Sequence, residues 1–105
     1  MKRHLRPDEI AFLTHILANK TEFNLDKINL HDCMVEDMDD GGMGSLFFCS
    51  PHLDRILGNE IANFNFTDSD GVPVISTLSL DNFGDLFELD IWKSDFSALK
   101  KFPEF

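Results

Sequence analysis

Three runs of strict alternation occupy the stretch from Asn59 to Asp95. In Glu60–Asp68, Ala62, Phe64 and Phe66 point one way and Asn63, Asn65 and Thr67 the other. Val72–Leu80 repeats the pattern with Val72, Val74, Leu78 and Leu80 on one face. Asp85–Lys93 sets Phe87, Leu89 and Ile91 against Glu88, Asp90 and Trp92. A period of two marks half-buried strands.

The turns between these strands must keep the large apolar groups on one side, because a one-residue slip reverses a face. A three-residue loop, Ser69-Asp70-Gly71, opposes Phe66 to Val74, Phe64 to Ser76 and Ala62 to Leu78, with Gly71 at the positive-φ position of a bulge. A four-residue loop, Asp81 to Gly84, opposes Leu78 to Phe87, Ser76 to Leu89 and Val74 to Ile91. The other face then carries Asn63, Asn65, Thr77, Glu88 and Asp90, with Ile75, Leu86 and Trp92 among them. Antiparallel sheets often leave such a face wet.

The remaining elements fit around this sheet. Pro7–Ala18 predicts a helix: Pro7 suits the first position, Asp8 and Glu9 favour the N-terminal end, and Ile10, Leu13, Ile16 and Leu17 recur at helical spacing. Asn19 is an acceptable stop. Phe23–Leu30 reads as a loop leading into a strand over Asp32–Met38. A turn follows at Asp39–Gly44 and a return strand at Ser45–Cys49. Ser50, Pro51 and Gly58 punctuate a short helix. Ser94-Asp95 predicts one more helical turn through Leu99, before a tail from Phe102 to Phe105. The expected class is α+β: an antiparallel meander of about five strands, with the N-terminal helix packed on one face.

At 105 residues with 43% hydrophobic content, the chain makes one globular domain, residues 1–105. Eleven Phe, one Trp and no Tyr suit a dry interior. The net charge of −10 is unevenly spread: between Asp32 and Asp90 the only Lys or Arg is Arg55, against thirteen Asp and Glu. That acidity argues against nucleic-acid binding and favours a basic protein partner. No apolar run approaches the roughly 18 residues of a membrane span, and no apolar stretch follows Met1-Lys2-Arg3 as in a signal peptide. Cys33 and Cys49 read as reduced thiols packed as small hydrophobes, which makes the expected location cytoplasmic.

The residues that suggest chemistry are few. Asp37, Asp39 and Asp40 stand in a loop with Gly41, Gly42 and Gly44, and with His31 they form a conceivable hard-cation site. The calcium-loop pattern fails, since Phe48 stands where a glutamate is needed. His31 and Cys33 with Cys49 and His52 supply zinc-ligand types, but at no recognised spacing. No nucleophile elbow accompanies any Ser or Cys, and no cofactor is implied. Trp92, sharing a face with Glu88, Asp90, Asn63 and Asn65, has the composition of a protein-binding patch; the alternative is that the C-terminal turn covers it through Phe96 or Leu99.

Two strings stand out together: Asp40-Gly41-Gly42-Met43-Gly44-Ser45-Leu46, and the more specific Glu88 through Ser97 followed by Leu99 (ELDIWKSDFS-x-L). With the opening Arg3-His4-Leu5-Arg6-Pro7-Asp8-Glu9, the chain resembles a family of small bacterial domains of unknown function. The resemblance implies no catalytic residue. Similar small acidic domains occur among immunity proteins of bacterial toxin systems. The expected function is therefore non-enzymatic protein binding, with toxin neutralisation as its specific form. The alternative is a small metal-dependent hydrolase using Asp37, Asp39, Asp40 and His31.

Overall fold

The structure, a computed structural model, describes residues 1–18, 20, 23 and 28–104. Its elements are β1 (Lys2–His4), α1 (Pro7–Leu17), a 3-10 turn (Leu30–Asp32), β2 (Met34–Asp37), β3 (Leu46–Phe48), β4 (Leu57–Thr67), β5 (Pro73–Asp81) and β6 (Leu86–Lys93). All six strands form one antiparallel sheet in the order β1-β2-β3-β6-β5-β4. Asn19 and residues 24–27 of Phe23–Leu30, where a stop and a leading loop are expected, lie outside the described residues.

This corrects the expected class. The fold is mostly β, with six strands and one α-helix, of eleven residues, among the described residues. Nor is it a single meander: β3 pairs with β6, so two three-stranded meanders meet edge to edge. β1 adds a strand where only a flank to the helix is expected. The segment from Ser50 to Gly58 is not helical, and β4 already begins at Leu57. Long-range contacts hold it instead. Arg55 donates to the carbonyls of Phe48 at 2.8 Å and Leu86 at 3.1 Å. Gly58 lies so close to β5 that a Cβ would stand 2.5 Å from the Asp81 carbonyl oxygen. That glycine serves a close backbone approach, not a helix end. The predicted turn of helix after Ser94 is absent too, because Phe96 takes φ 63° and reverses the chain.

The β4–β5 register is the expected one, with Phe66 opposite Val74, Phe64 opposite Ser76 and Ala62 opposite Leu78. Gly71, at φ 83°, closes the three-residue loop. The β5–β6 register is displaced by two residues: Leu78 faces Leu89 and Ser76 faces Ile91. One residue of that shift comes from a tighter loop, where the Asp81 carboxylate accepts the N–H groups of Phe83 and Asp85 and Asp81 bonds to Asp85. The other comes from a bulge, since Ser79 faces Glu88 while Leu80 faces Leu86.

The bulge moves two side chains to the faces opposite those expected. Leu86 turns inward and is buried. Phe87 turns outward, its ring 5.0 Å from that of Phe47, which projects between the buried Leu46 and Phe48 to the outer side. Phe64 stays inside, 5.8 Å from Phe12. Phe64 and Phe87 therefore lie on opposite sides of the sheet, against the expectation of a common face.

The inner face carries one apolar cluster that includes Phe12, Leu13, Val35, Leu46, Leu78, Leu89 and Ile91. Phe12 links helix to sheet through edge contacts to Phe64 and Phe66, and Phe102 of the tail packs against it at 4.9 Å. No helix among the described residues is long and apolar enough to cross a membrane.

Candidate functional site

The outer face of β4, β5 and β6 gathers the polar and aromatic residues expected there. Asn63, Thr77 and Asp90 form one cross-strand row, and Asn65, Ile75 and Trp92 the next. Glu88 lies opposite Ser79. Directly opposed side chains are within contact range, so the rows make one continuous surface. Trp92 and Ile75 are each 46% exposed.

Phe96 extends this surface. Its ring stands 4.8 Å from that of Trp92, nearly perpendicular to it, yet Phe96 remains 61% exposed. It is the one non-glycine with positive φ among the described residues. The turn that holds it is specified locally. The N–H of Phe96 donates to the Lys93 carbonyl at 2.9 Å, and the N–H and hydroxyl of Ser97 both donate to Asp95. Those bonds hold the Asp95 carboxyl below its usual range. A large aromatic side chain in the left-handed region is strained, and such strain concentrates at working surfaces.

The electrostatics of this face are one-sided. Glu60, Glu88 and Asp90 have no Lys or Arg partner within ion-pair distance among the described residues. Asp90 accepts only a long bond, 3.4 Å, from the Ser45 hydroxyl. The nearby cations are engaged elsewhere. Arg55 stacks over Phe47 and Phe87 and faces Asp81 at 3.3 Å, covering the bulged end of the face and leaving the Trp92 end open.

Lys93 is buried at the inner end of β6. Its Nζ donates to Asp70 at 2.6 Å and to the Ala98 carbonyl at 3.0 Å, and lies 2.8 Å from Asp68. Burial works against the charge of both groups. For Lys93 the two carboxylates outweigh it and raise the ammonium's pKa. For Asp68 the bond from Lys93 and the N–H groups of Lys100, Ser69 and Lys101 bring the carboxyl down to about 2. Sequence reading missed this cluster, although Lys93 has the same parity as Leu89 and Ile91. That parity was the available signal.

The residues of the metal alternative are not brought together. Asp37 pairs with Arg3 at 2.8 Å, and Arg3 in turn holds the buried Glu9 of α1. Asp40 accepts the N–H groups of Met43 and Ser45, which closes its turn. Asp39 is exposed in the same turn, and His31 sits in the 3-10 turn. His52 stacks on Phe83, and the Cys33 thiol points to the Asn29 carbonyl. Burial raises the pKa of that thiol, a setting for an inert cysteine. Among the described residues no three His, Cys, Asp or Glu could share a metal ion. The recess beside the glycine loop, about 100 Å³, is lined by Gly42, Gly44 and Lys100 rather than by the aspartates.

No curated protein and no solved structure matches the chain. A family model does, described as Domain of unknown function (DUF6984), over residues 2–103. With a match of that extent, running from β1 through the tail that packs on Phe12, the chain belongs to this family of uncharacterised domains.

Proposed function

We propose that this protein is a non-catalytic binding module that docks a basic protein on the open outer face around Trp92. The observation that supports the reading best is the exposed trio Ile75, Trp92 and Phe96, with Phe96 held at φ 63°. Apolar anchors bordered by polar groups are typical of docking surfaces, and Trp is the residue most enriched at their energetic centres. The unpaired Glu60, Glu88 and Asp90 favour a partner rich in Lys and Arg, and would speed its approach at low salt. A toxin neutralised by this chain is the partner of that kind to test first.

The test compares capture by the wild-type chain with capture by Trp92→Ala and by Glu88→Gln/Asp90→Asn. The expected partner is a basic protein, released by salt, whose affinity falls about 30-fold or more with Trp92→Ala, the loss of a hot-spot anchor. Partners released only by detergent, or held equally by all three proteins, would defeat the reading.

A further inference from the structure

β4 is an edge strand, and no strand pairs with its outer flank among the described residues. In the β4–β5 ladder, Asp68 donates to the Val72 carbonyl at 2.9 Å. Hydrogen-bonded pairs therefore recur at Phe66–Val74, Phe64–Ser76 and Ala62–Leu78, and the intervening residues turn their main chain outward. Pro73, opposite Thr67, agrees, having no N–H to offer. The N–H and C=O groups of Asn63, Asn65 and Thr67 thus face away from the sheet. Among the described residues, no main-chain partner bonds to them from outside the sheet.

Natural edges are guarded by Lys, Pro, bulges or a covering segment. The bulges in β4 lie between Leu57 and Ala62, and the run from Ala62 to Thr67 contains neither Lys nor Pro. α1 covers the inner face of this run, not its flank: Phe12 meets the rings of Phe64 and Phe66, which stay half-buried.

The geometry points to strand addition at β4: an extended segment of a basic partner pairs with the main chain of Asn63, Asn65 and Thr67. Its alternate residues have two different neighbours. Apolar ones lie on the side of the half-buried Phe66 ring. Lysine or arginine on the other side lies beside Asn63 and Asn65 and reaches toward Glu60. The same charges choose between occupants. A second copy would bring its own net charge of −10 to the seam, whereas a basic strand neutralises Glu60. Strand addition rests on the basic-partner reading but uses a surface separate from Trp92, so the two fail separately.

The probe is a short acetylated and amidated peptide in which lysine and valine alternate. Amide exchange measured by NMR is expected to slow at least tenfold at Asn63, Asn65 and Thr67, and to stay unchanged at Phe64 and Phe66, already bonded within the sheet. The glutamate–valine peptide is expected to leave all five unaffected. Asn65→Pro removes one outward N–H at an edge position that tolerates proline, and should abolish the protection with the core shifts intact. The lysine–valine peptide with every main-chain nitrogen methylated should not bind, a control that stands even if the proline variant unfolds. Trp92→Ala should leave the protection in place. Absent protection, equal protection by the glutamate or methylated peptide, or protection that grows with protein concentration alone would each overturn strand addition.

Discussion

Lys93 Nζ stands 2.8 Å from the Oδ2 of Asp68, with both side chains buried and 25 positions between them in the chain. A buried charge is tolerated when it is paired and its remaining donors are satisfied, and Asp70 and the Ala98 carbonyl take the rest. Removing the lysine alone leaves Asp68 charged in the interior. Lys93→Met should therefore lower the thermal midpoint more than a surface substitution such as Lys101→Met. Adding Asp68→Asn to Lys93→Met should recover part of the loss. A double-mutant cycle followed by circular dichroism measures the coupling, and additive effects would contradict the pairing.

The same pair sets an acid limit. The folded Asp68 carboxyl titrates near 2, below the ordinary 3.8, although burial alone would raise it. A depressed carboxylate contributes stability above its unfolded pKa, and that contribution is lost as pH falls through the folded value. Stability should thus drop between about pH 4 and pH 2, and Asp68→Asn should flatten that part of the curve. Urea titrations across this interval make the comparison.

Gly58 is expected to resist any side chain. A Cβ there would meet the Asp81 carbonyl at 2.5 Å, backbone against backbone, so neither neighbour yields easily. Gly58→Ala should cost about 1–3 kcal/mol, the range of overpacking. Gly71→Ala, with nothing within 4 Å of its Cβ, should show only the smaller strain of a positive φ. Denaturant midpoints of the two variants should rank in that order.

Phe96 is expected to be dispensable for folding. Its left-handed backbone costs about 1–2 kcal/mol, and its edge contact with Trp92 returns a similar amount. Phe96→Gly should leave stability within about 1 kcal/mol of wild type. Trp92 is the sole tryptophan, so its emission should shift to the red as the covering ring is lost. A large loss of stability would assign Phe96 to the core instead of the surface.

The elements that could be read from sequence were those whose partners are close along the chain. Face matching across a three-residue loop sets Phe66 against Val74, because the two-residue loop sends Val74 to the opposite face from Phe66. The next hairpin is displaced by two: one residue comes from the tighter Asp81 loop and one from the bulge, whose outward Phe87 stacks with Arg55, 32 positions upstream. Nothing local to residues 85–93 announces that contact. The sequence reading places Lys93 only at the end of its strand, although alternation with Leu89 and Ile91 puts it inside; the two aspartates that receive it sit in a turn that turn chemistry alone explains. Of the candidate site, Asn63, Asn65, Glu88, Asp90 and Trp92 fall on one face as their parity requires. Phe96 was missed, since a helical turn was expected where a left-handed residue reverses the chain.

Asp68 also accepts the main-chain N–H groups of Lys100 and Lys101, more than thirty positions away. The hairpin tip and the closing segment are thereby one mechanical joint, bolted through a single carboxylate. Tension on Phe102 would load the β4–β5 hairpin directly, and peeling that segment would strip Phe12 of a neighbouring ring. In a pulling experiment, tail and hairpin should give way in one step rather than two.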